Sequence, residues 1–304
     1  MVTFIFSFCF VLLWLLMWAV LFPAGKFARG YLLGVKLPLV AENDKDILVL
    51  IKAYKKTAWL TIFLCLVLSL PVYLLREWMS FQLLYFFLVY MGECLVFEMP
   101  YIVYHQKLKA IKSAKQYDKQ ITYQDVSEDE ANWKYGIFYN NKDDKRYLVN
   151  KRVGIGMTMN FGQTSAKGWI VGTVILVILP LVACLTPIFI HEFSTPTLEI
   201  VEGDTVKIDC FEYGTTFDLD DVVDLYLIDT LPNNTKSNGI ATSKIARGQF
   251  AFKGMGRGMA YVYVQTPPYI AITFEESYII YNEKSAEQTK AVYDELSKHI
   301  KTLE

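Results

Sequence analysis

Charge is scarce in this sequence, and it is missing over long stretches. Asp, Glu, Lys and Arg make up 20% of the 304 residues, against 53% hydrophobic residues, and the mean hydropathy is +0.27. A soluble domain carries about 25% charged residues. The apolar surplus here lies in runs, which excludes a single soluble globule. Histidine is nearly absent, with His105, His191 and His299 as the only three. None of them stands in a His-Glu-x-x-His zinc pattern. Of the five cysteines, Cys9, Cys65, Cys94 and Cys184 fall in apolar runs and Cys210 stands alone near the C-terminal end. There is no Cys-x-x-Cys pair, and no disulfide can form inside the C-terminal segment. A Gly-x-Ser-x-Gly elbow and a phosphate-binding loop are also missing. These absences predict no catalytic residues, no metal site and no cofactor, and argue against an enzyme.

What the chain has instead is span-length apolar sequence. Val2 to Phe22 is uncharged, and Trp59 to Leu75 and Trp169 to Ile190 are the other two clear runs. Roughly 20 helical residues at about 1.5 Å each cross a hydrocarbon core of about 30 Å. Phe81 to Tyr104 is nearly as apolar but contains Glu93 and Glu98, and reads as the third of four spans. Pro71, Pro100, Pro180 and Pro187 are tolerated in membrane helices. The first run has no basic residue before it, while Lys26 and Arg29 follow it. That polarity predicts an uncleaved span with its N-terminus outside.

The net charge of -1 hides two unlike halves. Residues 1–195 carry 20 Lys and Arg against 14 Asp and Glu, and residues 196–304 carry 10 against 17. Of those first 20 basic residues, seven lie in loop 23–58 and twelve in loop 105–168, and Arg76 is the remaining one. Four spans put both loops on one face, and the Lys/Arg excess marks that face as cytoplasmic. The short turn and residues 196–304 are then expected outside a cell membrane. The positive half is an orientation signal, so nucleic acid is not expected as a partner. The lipid bilayer is.

After Thr195 the pattern changes to short alternating segments. Strands are expected near residues 197–201, 205–211, 222–228, 240–245, 249–253, 259–265 and 269–274, with 278–281 either one more short strand or a continuation of the last, and Pro232-Asn233-Asn234 as a turn. Ser285 with Gln288 forms a capping box for a last helix. Val292, Leu296, Ile300 and Leu303 make one apolar stripe on it. About seven strands followed by one amphipathic helix is the order of a pleckstrin-homology-like barrel, with the stripe closing its open end. The segment also resembles the bacterial pleckstrin-homology family at Ile200-Val201-Glu202-Gly203-Asp204, Leu231-Pro232, Asn238-Gly239, Arg247-Gly248-Gln249-Phe250 and Tyr278-Ile279-Ile280-Tyr281-Asn282. Such domains imply a binding role. The acidic Val201 to Asp204 loop and a domain charge of -7 argue against phosphoinositides, so a peptide or protein partner is expected.

The most distinctive string runs from Trp133 to Phe161. It contains Gly136, Tyr139-Asn140, Asp144, Lys151-Arg152, Gly154-x-Gly156 and Asn160. Its spacing predicts a hairpin with an aromatic strand to Tyr139, an Asn/Asp-rich turn and a strand to Val149. Gly154-x-Gly156 is too short for a dinucleotide fingerprint. Lys151 and Arg152 suit lipid phosphates, each worth ~1 kcal/mol near a membrane surface. The string resembles domain-of-unknown-function family 5808, found in multi-span bacterial membrane proteins, and Gly34-Val35-Lys36-Leu37-Pro38 fits the same kind of protein.

The fold class expected is an α-helical membrane domain of four spans (three within residues 1–104, one at 169–190) joined to a β-rich unit over 196–304. The function expected is a membrane scaffold or sensor. A related class is an immunity or signalling protein that answers secreted toxins. The rival is a proton- or cation-coupled transporter using Glu93, because intramembrane carboxylates are usually functional. Five residues separate Glu93 from Glu98 by about 140° around a helix, so the two are not expected to form a dyad.

Overall fold

The computed structural model describes residues 2–28, 30–120, 131–152, 156–201 and 203–303. Arg29, the acidic stretch from Asp125 to Glu130, Gly154 and Glu202 lie outside the described residues. The chain forms two compact units. One comprises residues 1–76 and 82–181, and the other residues 77–81 and 182–304.

The first unit is built on helices. α1 (Val2–Ala24) buries Phe6, Phe10, Leu13, Met17 and Leu21, a stripe with spacings of three and four. Many of its other apolar side chains stay exposed, among them Phe4, Phe8, Leu15 and Trp18. An apolar helix that packs through one stripe and bares the rest is what a hydrocarbon solvent requires. α2 (Lys45–Ser69) starts earlier than the apolar run at Trp59 suggests. Asp44 caps it, its carboxylate accepting from the Asp46 amide at 2.8 Å. Ile47, Leu50, Tyr54 and Ala58 carry the buried stripe through the lysine-bearing turns. Hydropathy detects only the apolar run, so the amphipathic beginning is invisible to it. α3 (Pro71–Leu74) follows after a break at Leu70, with Pro71 in its first turn.

The third span expected from sequence falls in one membrane-length apolar stretch made of two helices, α4 (Met79–Val96) and α5 (Met99–Ala114). The junction falls at Phe97-Glu98, just before Pro100. α6 (Thr164–Phe193) runs for 30 residues through Pro180 and Pro187. Four stretches, Val2–Ala24, Lys45–Glu77, Met79–Ala114 and Thr164–Phe193, are long and apolar enough to cross a membrane.

The connections of this unit contain short strands. β1 (Tyr31–Leu32) pairs with β2 (Val35–Lys36). β3 (Trp133–Lys134) pairs with β4 (Phe138–Tyr139), and β5 (Leu148–Asn150) pairs with β6 (Met157–Met159). The expected hairpin from Tyr139 across to Val149 is therefore replaced by two smaller ones, joined by a parallel bridge between Tyr139 and Asn160. The Asn/Asp-rich stretch folds on itself instead of turning a hairpin. Asn141 Oδ1 accepts from the Asp143 amide, and Asp144 Oδ1 from the Arg146 amide, two Asx turns in succession.

The second unit is β-rich and ends in a helix. β7 (Thr197–Ile200), β8 (Thr205–Asp209) and β9 (Thr215–Asp218) form an antiparallel sheet of three. β10 (Asp224–Ile228), β11 (Asn234–Ala241), β12 (Ile245–Phe252), β13 (Gly256–Tyr263), β14 (Tyr269–Thr273) and β15 (Tyr278–Tyr281) form a sheet of six in the order β10-β14-β15-β13-β12-β11. Only β13 and β15 run parallel within it. Nine strands stand where about seven were expected. β9 was not anticipated, and residues 240–245 straddle a turn. There Thr242 Oγ1 accepts from the amides of Lys244 and Ile245, both at 3.1 Å. Asn234, expected in a turn, opens β11 opposite Phe252.

Val206 and Ile208 of the small sheet share one core with Tyr261, Ile270, Ile272 and Tyr281 of the large one. α7 (Ala286–Leu303) covers that core with Val292, Leu296 and Ile300. Ser285 caps the helix, its hydroxyl accepting from the Gln288 amide at 3.2 Å.

Candidate functional site

The two basic loops of the first unit interlock. His105 on α5 pairs through Nδ1 with the Leu33 carbonyl at 2.7 Å. Gly136 sits at φ +71° between β3 and β4, and a Cβ there would lie 3.1 Å from the Gly34 backbone and 3.2 Å from His105. A side chain would thus be both strained and obstructed at this crossing. Nearby, Lys115 reaches both Asp44 carboxylate oxygens, at 2.7 and 2.6 Å, and Tyr117 also donates to Asp44. These partners, Lys115 first, hold the Asp44 carboxyl down at about 2.

Asn160 organises the segment that follows. It is fully buried, and its Oδ1 accepts from the amides of Asn141 and Gly162, both at 3.0 Å. Its Nδ2 donates to the carbonyls of Asn141, Asp144 and Arg146 at 2.7, 2.8 and 3.3 Å. Tyr139 donates to Asp144 at 2.9 Å. Asp144 also takes the Arg146 guanidinium, which holds its carboxyl well below the ordinary aspartate range. Asn140 is exposed, and its amide closes the turn onto the Asn132 carbonyl at 2.7 Å. Gly156, at φ +108°, accepts from the Lys151 amide at 3.0 Å.

Other residues of the string line a cleft of about 280 Å³ together with the end of α1 and the α4–α5 junction. Its walls include Leu21 of α1, Phe97, and Ile137 and Phe138 of the loop; Trp133, Gly136, Lys151 and Arg152 also line it. The Arg152 guanidinium lies 5.2 Å from the Trp133 ring centre and 5.9 Å from that of Tyr31, a double cation–π seat. Trp133 in turn packs on Tyr139 at 5.2 Å. Glu98 lines the same cleft as Lys151. Tyr101 is 5% exposed and also lines it. Among the described residues its hydroxyl has no hydrogen-bond partner.

Of the residues singled out from sequence, Trp133, Gly136, Lys151, Arg152 and Glu98 thus meet at one cleft. Tyr139, Asp144 and Asn160 form the knot that supports it, and Gly154 lies outside the described residues. Glu93 is elsewhere. It is 2% exposed, and Trp14 Nε1 donates to its Oε2 at 3.2 Å. Among the described residues its Oε1 has no hydrogen-bond partner. Tyr31 and Tyr101 had not been recognised. A tyrosine near a span end reads as an interfacial anchor, and no local pattern marks these two as different. Among the described residues, no group of three or more His, Cys, Asp and Glu side chains gathers as a metal site would require.

No curated protein matches the chain. No solved structure matches it either. Residues 142–167, which contain Asp144, the Lys151-Arg152 pair and Asn160, match the model of a family of unknown function (DUF5808).

Proposed function

We propose that this protein is a multi-pass membrane protein that works by binding, as a scaffold or sensor in a bacterial cell membrane. The observation that carries the reading is the cleft. The most distinctive string of the sequence folds onto span ends and brings Lys151, Arg152 and Glu98 to an otherwise apolar cavity. The basic loops are cytoplasmic by the Lys/Arg rule, and the β-rich unit is outside. Support for a shared face comes from turn 77–81, which belongs to the same compact unit as residues 182–304. Glu192 accepts there from the Met79 and Ser80 amides at 2.6 and 3.0 Å.

The β-rich unit is pleckstrin-homology-like in this reading, supported by its run of strands followed by a single helix with a buried apolar stripe. Its partner is a peptide or protein, because its acidic balance disfavours inositol phosphates. Catalysis has no part in the reading.

Orientation is testable by labelling. Cys210 is 7% exposed within the core, so the probe is Ser237→Cys on exposed β11 in a cysteine-free background, with Lys109→Cys for the other face. An impermeant maleimide is expected to label position 237 in intact cells and position 109 only after permeabilisation. The reverse pattern would invert the topology.

The partnerless oxygen of buried Glu93 favours one second reading, a proton- or cation-coupled transporter. On that reading, ion flux in proteoliposomes falls at least tenfold in Glu93→Gln. On the binding reading there is no flux to lose.

A further inference from the structure

Resting on the reading of the chain as membrane-spanning, we propose that the cleft holds the headgroup of a zwitterionic aminophospholipid. The phosphodiester would meet Lys151, Arg152 and the Tyr101 hydroxyl, and the primary ammonium would meet Glu98.

Three observations lead there. First, Tyr101 is more than nine-tenths buried, lines the cleft and has an unpartnered hydroxyl. Such a group costs free energy unless something completes it. Second, the cleft carries two cations and one carboxylate on an apolar lining. A headgroup with a single negative charge and no cation, such as phosphatidylglycerol, leaves one of the two cations to balance Glu98 and so keeps only the other for its phosphate. A phosphomonoester adds further negative charge beside Glu98. A quaternary ammonium has no N–H to donate to the carboxylate. A primary ammonium supplies both the charge and the donors. Third, the cavity of about 280 Å³ is at the small end for ligand sites, which run to roughly 300–1,000 Å³. That suits a headgroup whose acyl chains leave along apolar span surface. Leu21 and Phe97 line the cleft, and Val20 lies beside them. The rings of Trp133 and Tyr31 fix Arg152 in advance, which lowers the ordering cost of binding.

The test uses the full chain, purified in mild detergent and exchanged into nanodiscs of phosphatidylethanolamine, phosphatidylcholine or phosphatidylglycerol. Bound lipid is read by native mass spectrometry after ejection. The wild type is expected to retain one phosphatidylethanolamine at least tenfold over either other lipid. Glu98→Gln, which preserves size, is expected to erase that preference and keep phosphate-dependent retention. Tyr101→Phe is expected to lower retention several-fold for all three lipids. Soluble glycerophosphoethanolamine competes only weakly if the lipid is the ligand. Competition equal to that of the lipid would make a free phosphodiester the ligand and overturn the lipid assignment. Equal retention of the three lipids by the wild type, or an unchanged preference in Glu98→Gln, overturns the proposal. Failure of the membrane reading itself is separate, because the chain would then be released from membranes by alkaline carbonate.

Discussion

Asn160→Asp is expected to release residues 141–162 while leaving the spans folded. The substitution keeps the size of the side chain and the oxygen that accepts from Asn141 and Gly162. It removes the amide that donates to three carbonyls and turns a carboxylate oxygen toward them. Each buried acceptor left without a donor costs about 1–3 kcal/mol. With partial relaxation, a local loss of about 3 kcal/mol follows, on the order of a hundredfold in the opening constant. Hydrogen exchange of peptides covering residues 141–162 reads this directly. Exchange as slow as in the wild type would mean that Asn160 does not hold the segment together. Because that segment contains Lys151 and Arg152, the same variant is expected to weaken the seat of Arg152 on Trp133.

Arg247→Met is expected to have the largest effect in the β-rich unit. Arg247 is fully buried, and burial pulls its guanidinium below the ordinary arginine value. It donates to the carbonyls of His191 and Ser194, to the Ser194 hydroxyl at 3.1 Å and to the Tyr263 hydroxyl at 3.4 Å. These include carbonyls at the C-terminal end of α6, which has no intrahelical donors for them. A cation there also meets the negative end of the helix dipole. Methionine fills much of the space but satisfies none of the acceptors, so about 3 kcal/mol of stability is expected to go. Arg247→Lys keeps the charge without the planar fork and is expected to lose about half of that. Thermal unfolding of the full chain in detergent, followed by near-ultraviolet circular dichroism, separates the three proteins. Identical unfolding of Arg247→Met and the wild type would contradict this account.

The helices were legible because runs such as Trp169 to Ile190 allow few other folds. Their ends were less so. Lys52, Lys55 and Lys56 mask the start of α2, although Asp44 before it is a readable cap. In the β-rich unit, alternation revealed β13 and β14. It failed at β9, which has four residues, and at Thr242, whose side chain turns the chain inside an apparently continuous run. The candidate site was half legible. Trp133, Gly136, Lys151 and Arg152 belong to one string and were found together. Tyr31, Tyr101 and Glu98 reach the site only through the packing of the loops on the span ends. The single hairpin across residues 139–149 was misread because Asn141 and Asp144 hydrogen-bond their own backbone more readily than they place it in a cross-strand ladder.

The carboxylate of Glu192 also sets an order of events during synthesis. It serves the amides of Met79 and Ser80 and the Ser80 hydroxyl, yet it is made 112 residues after Ser80. Until the ribosome reaches it, the first turn of α4 has no such acceptor and depends on solvent. A chain stopped before residue 192 would therefore keep an open helix start. Synthesis of Glu192 supplies the missing acceptor and closes that end.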